Sequence, residues 1–553
     1  MVTLKYTLIL FFVAVACAED EFHTKPSNID PALEITNIKP IHKTIEGHNL
    51  YWTENAQRYL KEQLKLTQNT KKAKNLIMFV GDGMSISTIG ATRMYLGGEE
   101  LSLSFEDFPH YGLVKPYCVD RQVPDSACTA TAFLGGIKNN YRGLGVTANV
   151  TSSQCNFSEE DVVYSIVKWA QDEGKATGVV TTTRITHATP AAAYAHSPHR
   201  DWENNALISS ACRNDPNSQI KDIAHQLVYN EVAKRLKVIM GGGTRHMLNN
   251  TMQNDEGRFG ERTDGRNLIE EWLEERNKEG KAAYISHKQQ LDELDVDKTD
   301  FLLGLFEHDH CMYRLDVLNN KLENQEPFLT QMTETAIKML QKEDNGFFLL
   351  VEGGRIDHAH HSNYARKSLD ETAEFARAIE LARLMTSDDD TLIVVTSDHS
   401  HVFTYNGYPY RHDDVLKTTG YGADDGLHFE TLSYANGPGY NRTYANEGNR
   451  SDIINDDFTN LNRRYSAMVP LSSETHGGED ISVYSSGPWS HLFQGSYEQS
   501  DIPMVMAYAA KIGPYADRIE TTTACTGSDC DSANGVYLMS ALLILSLLVL
   551  YFT

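Results

Sequence analysis

The chain has 553 residues, enough for one large α/β domain or several smaller ones, and its 41% hydrophobic and 23% charged content is ordinary for a globular protein. A formal net charge of −25 excludes a general nucleic-acid binder, because no basic excess exists to track phosphates. An anionic small substrate would need strong local positive charge, and metal ions are one source of it.

Residues 1–18 read as a secretory signal peptide, with Lys5, an apolar run Leu8–Ala16 and the small-residue site Ala16-Cys17-Ala18. An N-terminal extension follows over 19–50. Tyr51–Leu66 has helical periodicity, with Trp52, Ala56, Tyr59, Leu60 and Leu64 on one face. After a basic linker, Leu76–Val80 is a continuous apolar run of the kind expected of a buried parallel strand. Val179–Thr183 is a β-rich run of Val and Thr, and Val238–Met240, Phe347–Val351 and Leu392–Thr396 are further apolar strand candidates. Helical patterns lie at Glu159–Gly174, Asp222–Arg235, Asn267–Lys278, Thr330–Lys342 and Ser368–Met385.

This alternation predicts an α/β fold: a large central, mostly parallel sheet flanked by helices on both faces, over 51–407 and 466–515. Tyr408–Tyr465, rich in Gly, Asn, Asp and Tyr, reads as an inserted surface subdomain. A linker over 516–535 precedes a final apolar tail, 536–553. The small polar stretch Ser528–Gly535 before that tail forms a GPI-attachment signal, with Asp531 as the candidate acceptor. A short C-terminal membrane span is the competing reading.

Asn149, Asn156, Asn249, Asn441 and Asn449 lie in glycosylation sequons, in keeping with secretory passage. Without Cys17 seven cysteines remain, so an oxidising compartment leaves at least one thiol free or paired between chains. Cys525 and Cys530 are near enough to close a small loop. Cys155 with Cys212 would close a long one, worth about 4 kcal/mol in chain entropy.

Metal-type side chains follow the strands in four groups: Asp82; Glu352 with Asp357 and His361; Asp398-His399; and His476. Asp357 and His361 are spaced to share one helix face. Each group alone has an ordinary explanation as a cap or a satisfied histidine. Four groups at strand exits would converge on one crevice, since open α/β sheets bind ligands at the carboxyl ends of their strands. Mixed imidazole and carboxylate favours zinc, and an oxygen-only subset favours magnesium. Ser126, in Val123–Ala132, opens a small-residue helix whose N-terminus suits an anion, and a nearby metal would make it a nucleophile. Asp125 or Ser126 also suits a plain helix N-cap.

The motifs Phe79–Met84, Val123–Ala132, Thr183–Pro190, Val351–His361, Thr396–His401 and Glu474–Asp480 resemble, in order, those of the alkaline phosphatase family, most closely its animal GPI-anchored members. The resemblance runs from about Tyr51 to Cys530. It implies a phosphomonoesterase acting through a phosphoserine at Ser126, with two zinc ions and one magnesium. One zinc would be held by Asp357, His361 and His476, the second by Asp82, Asp398, His399 and Ser126, and the magnesium by Asp82, Thr189 and Glu352. Arg200 matches the arginine that grips phosphate, and His187 a histidine beside the magnesium. His358, His360 and His401 match no ligand and are assigned to supporting or packing roles.

The same resemblance suggests a calcium site from Glu256, the Phe306 carbonyl, Glu307 and Glu326, and matches Cys155–Cys212 and Cys525–Cys530 to the family's disulfides. It implies a GPI-anchored homodimer on the outer cell surface, with Tyr51–Leu66 as an arm and Tyr408–Tyr465 as a crown, both toward the partner. Cys118, Cys128 and Cys311 depart from the mammalian pattern, leaving a Cys118–Cys128 bridge near Ser126 open. Sulfatases and phosphodiesterases of the same fold are the nearest rivals, and Thr189, Arg200 and Glu352 together favour the monoesterase. A catalytically secondary surface receptor on a lipid anchor is the alternative of a different class.

Overall fold

The computed structural model describes residues 45–152, 154–445 and 448–516, so Cys525, Cys530, Asp531 and both chain ends lie outside the described residues. Ten strands form the central sheet: β1 (Asn75–Gly81), β2 (His110–Lys115), β3 (Ala176–Arg184), β4 (Val238–Gly242), β5 (Ala282–Ile285), β6 (Phe301–Leu305), β7 (Phe347–Gly353), β8 (Thr391–Ser397), β9 (Ile481–Ser486) and β10 (Gly495–Glu498). Their spatial order is β10-β2-β9-β8-β1-β7-β3-β4-β6-β5. Only β9 runs against the rest, pairing antiparallel with both β8 and β2.

The apolar runs read from the sequence sit at the centre of this order. Alternate residues bury on opposite faces. Leu76, Met78 and Val80 join one core with Phe348 and Leu350, while Ile77 and Phe79 join the other with Leu349 and Val351. Strands covered on both faces have no polar side, hence their unbroken apolar sequence. On the second face pack the helices Leu329–Leu340 and Ala365–Met385.

Two sequence expectations change in detail. The pattern at Asp222–Arg235 divides into Ile223–Tyr229 and Glu231–Lys234, because Asn230 turns extended and caps the second helix with its side chain. Glu159–Gly174 likewise becomes a short 3-10 turn, Glu159–Asp161, and a helix, Ile166–Asp172. The arm helix spans Asn49–Gln63 and buries none of its residues. The inserted region forms a three-stranded sheet that recruits Phe403–Tyr405 and Ser466–Pro470, just outside 408–465. Its own small core, with Phe403, Leu432, Tyr434 and Tyr465, rests on Ala365 and Leu369. Among the described residues no helix is long and apolar enough to cross a membrane.

Strand register sets the site. Gly81 pairs with Gly353 on one side and Ser397 on the other, so β7, β1 and β8 end at one level. Asp82, Glu352 and Asp398 therefore emerge together.

Candidate metal centre and active site

Helix Arg355–His361 starts directly after β7 and turns Asp357 and His361 to one side. Asp357 Oδ1 lies 3.2 Å from His361 Nε2 and 3.4 Å from His476 Nε2. The two Nε2 atoms are 3.1 Å apart. His476 Nδ1 donates to the Pro124 carbonyl at 2.7 Å, and His361 Nδ1 donates to the Glu474 carbonyl. A carbonyl only accepts, so each Nδ1 carries the proton and each Nε2 presents a lone pair. Burial also holds both imidazoles below their ordinary pKa. Two acceptor nitrogens thus face one carboxylate oxygen, Asp357 Oδ1, which also accepts from His401 Nε2 at 2.6 Å. Tetrahedral zinc, with bonds of about 2.0–2.1 Å, separates its ligand atoms by about 3.3 Å, and this trio fits it.

Beside it stand Asp82, Asp398 and His399. His399 Nε2 is 3.0 Å from Asp398 Oδ2, 3.6 Å from Asp82 Oδ1 and 3.2 Å from Ser126 Oγ. The His399 and His476 rings stack at 3.5 Å, which joins the two donor sets. A third set comprises Asp82, Thr189 and Glu352. Both Asp82 oxygens, Thr189 Oγ1, Glu352 Oε1 and Asp398 Oδ2 are buried without a hydrogen-bond partner. Glu352 Oε2 is occupied by the Thr181 and Thr183 hydroxyls, which leaves Oε1 for the site. Orphaned buried oxygens at this density are costly unless a cation meets them. Burial, then the charges of Asp398, Asp357 and Glu352, hold Asp82 well above the usual carboxylate range. Burial pushes Glu352 up to about 7. An all-oxygen donor set of this kind suits magnesium.

Ser126 begins helix Ser126–Gly135, a run of small residues that Gly136 ends in the left-handed region, at φ +73°. Asp125 caps it: Oδ1 accepts from the Cys128 and Arg142 N–H groups, at 3.4 and 2.9 Å. Asp125 Oδ2 accepts from Arg200 Nη1 at 3.0 Å, so the cap also aims the arginine. Arg200 Nη2 donates to His187 Nε2 at 2.8 Å. Burial and Arg200 hold His187 neutral, and its other nitrogen is buried without a partner.

Residues 73–512 match the family model for alkaline phosphatase. The chain is 45% identical to the tissue-nonspecific alkaline phosphatase of Gallus gallus, covering 84% of this chain and 90% of that protein. It belongs to the alkaline phosphatase family. A membrane-bound alkaline phosphatase of Bombyx mori is 43% identical over 90% of each chain. Among solved structures, alkaline phosphatase from the Antarctic bacterium TAB5 covers 80% of this chain and 99% of its own, at a TM-score of 0.54 and 24% identity, a likeness of fold. As an alkaline phosphatase the chain is a phosphomonoesterase, and the family implies divalent metal cofactors.

In this alkaline phosphatase the supporting residues are more numerous than the sequence indicates. His401 joins Asp357 to Glu474, and Asp125 joins Ser126 to Arg200. Both lie inside the motifs quoted from the sequence, but nothing in their spacing shows which neighbour they touch. His360 is fully enclosed, bonded to Thr88, Ser368 and Tyr434. His358 sits with His187 and His310, ring centroids 4.2–5.5 Å apart.

The acidic group also assembles in part. Burial and the charge of Glu256 raise Glu307, and burial and Glu307 raise Glu326. Glu326 Oε2 is buried without a partner, and Phe306 is buried beside Glu307. Cys155 bonds Cys212, and Cys118 bonds Cys128, which among the described residues leaves Cys311 a buried free thiol. Asn149, Asn156, Asn441 and Asn449 are exposed. Asn249 differs: it is buried, its amide nitrogen donates to Thr251 Oγ1 and its oxygen accepts from the Gly265 N–H. Its side chain is therefore enclosed, unlike those of the other four sequon asparagines.

Proposed function

We propose that the chain hydrolyses phosphomonoesters through a phosphoserine at Ser126, at a centre of two zinc ions and one magnesium on the outer cell surface. The observation that carries this reading is the pair of facing acceptor nitrogens, His361 and His476, closed by Asp357. Asp357, His361 and His476 would hold one zinc; Asp82, Asp398, His399 and Ser126 the other; Asp82, Thr189 and Glu352 the magnesium. When bound, these ions would supply Lewis acidity, acidifying the Ser126 hydroxyl and water and offsetting the carboxylates.

The remaining work falls to the chain. Arg200, fixed by Asp125, would bond two phosphoryl oxygens and hold phosphorus in line with Ser126 Oγ. Ser126 Oγ attacks phosphorus and the ester oxygen departs. Water then attacks the phosphoserine from the vacated side, and two inversions give net retention. Positioning and charge do most of this, so the leaving group is weakly selected.

Glu256, Glu307, Glu326 and the Phe306 carbonyl would hold a calcium ion. The exposed apolar face of the arm helix supports a homodimer, completed by the crown at 408–465. A GPI anchor at Asp531, with the tail removed, fits the membrane-bound relative from Bombyx mori.

The test is hydrolysis of a chromogenic phosphomonoester at alkaline pH, with and without chelator, by wild type and Ser126→Ala. Activity must vanish in the variant and with chelator, and chelator-resistant turnover by Ser126→Ala would sink the mechanism. Release of activity from cells by a phosphoinositide-specific lipase tests the anchor.

A further inference from the structure

The Cys118–Cys128 disulfide closes a loop around the nucleophile, with Cα atoms 5.8 Å apart and a sequence separation of 10. The outer stretch of this loop, residues 119–123, is exposed, whereas Pro124, Asp125 and Ser126 are buried. These three consecutive residues each reach a different part of the centre. The Pro124 carbonyl accepts from His476 Nδ1 at 2.7 Å, Asp125 Oδ2 accepts from Arg200 Nη1 at 3.0 Å, and Ser126 Oγ lies 3.2 Å from His399 Nε2.

Both ends of the bridge are anchored. Cys128 lies in the first turn of the nucleophile helix, and its N–H bonds Asp125 Oδ1. Beside Cys118, the Val119 N–H donates to the Asn139 carbonyl at 2.9 Å, and Lys138 Nζ donates to the Tyr117 carbonyl at 3.1 Å. The bridge therefore ties the start of the helix to a strap already fixed on residues 138–139. Without it, the start of the helix would be linked to the strap through the exposed residues 119–123, which are held by single hydrogen bonds from the Val119 N–H to the Asn139 carbonyl and from the Tyr141 N–H to Asp120 Oδ1, while Asp125 would keep its bond from the Arg142 N–H.

We propose that Cys118 and Cys128 are positioning residues for the reaction: their disulfide holds Pro124–Ser126 as one rigid unit, so that the nucleophile, Arg200 and His476 keep a common alignment. The inference rests on Ser126 being the nucleophile. Its physical basis is that a displacement of about 1 Å in a reacting group costs on the order of a hundredfold in rate, far beyond what the same movement costs in a loop elsewhere.

The experiment compares wild type, Cys118→Ala/Cys128→Ala and a core variant, Ile337→Ala, matched for loss of Tm. For each, kcat, KM, inhibition by inorganic phosphate and zinc retained per chain after dialysis are measured. The double variant should lose at least tenfold in kcat/KM, bind phosphate at least fivefold more weakly and retain less zinc, while Ile337→Ala changes none of these. Equal behaviour of the two variants would overturn the proposal and leave the bridge a stabilising staple.

Should the double variant not accumulate, folded wild type is treated with a trialkylphosphine, which takes oxygen from water as the disulfide becomes two thiols. Phosphate affinity is then followed against mass-spectrometric opening of the 118–128 bridge, and affinity unchanged in the opened fraction would again overturn the proposal. Ser126→Ala in parallel separates the two ideas: turnover by that variant refutes the nucleophile assignment, whatever the disulfide does.

Discussion

His401 lies between two carboxylates, donating from Nε2 to Asp357 Oδ1 at 2.6 Å and from Nδ1 to Glu474 Oε2. Burial alone would lower its pKa, but Glu474 and Asp357 outweigh burial and raise it to about 10. Glu474 is itself buried and accepts the Val402 N–H at 2.9 Å, which makes a firm backstop. His401 therefore orients a metal-type carboxylate. Replacing it by Asn should weaken zinc retention by about 10–100-fold, as outer partners of metal ligands do. Metal content after equilibration with a competing chelator checks this, and unchanged retention would show that Asp357 is held without it.

Arg200 bonds Asp125 with one arm and His187 with the other, so its fork is aimed before substrate arrives. Arg200→Ala should lower kcat/KM by about a hundredfold or more and relieve inhibition by phosphate. Arg200→Lys should recover only part, because an ammonium cannot span two oxygens in a plane. Steady-state kinetics with phosphate as product inhibitor separate these outcomes.

The unpaired oxygens of Asp82, Thr189, Glu352 and Asp398 would bind the proposed cation in the folded chain only, since the strand ends that gather them do not exist in the unfolded one. Metal removal should therefore lower Tm, by about 2.7 kcal/mol of lost stability for an ion present at a hundred times its Kd. Calorimetry with and without chelator, followed by zinc and magnesium add-back, measures it.

Glu371 is buried, and its pKa is pushed up to about 8 by that burial, with the Arg314 N–H bond opposing and Asp370 adding. A carboxyl raised on folding contributes stability that is full below its ordinary 4.5 and is lost as pH rises through about 8. Glu371→Gln keeps the acceptor and cannot ionise. It should raise Tm by about 2–4 °C at pH 9 and give no gain at pH 4, in thermal melts across that range.

On helix Asn49–Gln63, Trp52, Tyr59 and Leu60 are more than half exposed, although all are large and apolar. Tyr59→Asp with Leu60→Asp should shift the proposed dimer toward monomer by at least tenfold in dissociation constant. Sedimentation velocity over a concentration series reads this directly, and an unmoved distribution would place the interface elsewhere.

The sequence by itself determined the middle of the fold and the chemistry of the strand exits. The five expected strands are β1, β3, β4, β7 and β8, legible because enclosure on both faces favours apolar runs, and in β3 the β-branched Val and Thr, whose hydroxyls bond within the core or to Glu352. β2, β5, β9 and β10 carry serine, glycine or half-exposed residues and leave no such trace, while β6 is a short apolar run interrupted by Gly304 and followed at once by an acidic loop. The residue types at Asp82, Ser126, Glu352, Asp357, His361, Asp398, His399 and His476 were legible as well, since metal chemistry needs those atoms whatever the fold.

Only the tertiary structure decided what holds them. Asp125 reaching Arg200, His401 bridging Asp357 to Glu474, and Pro124 fixing the tautomer of His476 are contacts between segments 44 to 352 residues apart, apart from those Asp125 makes with its own helix. Their local sequence is compatible with many partners, and packing around the shared strand ends selects one.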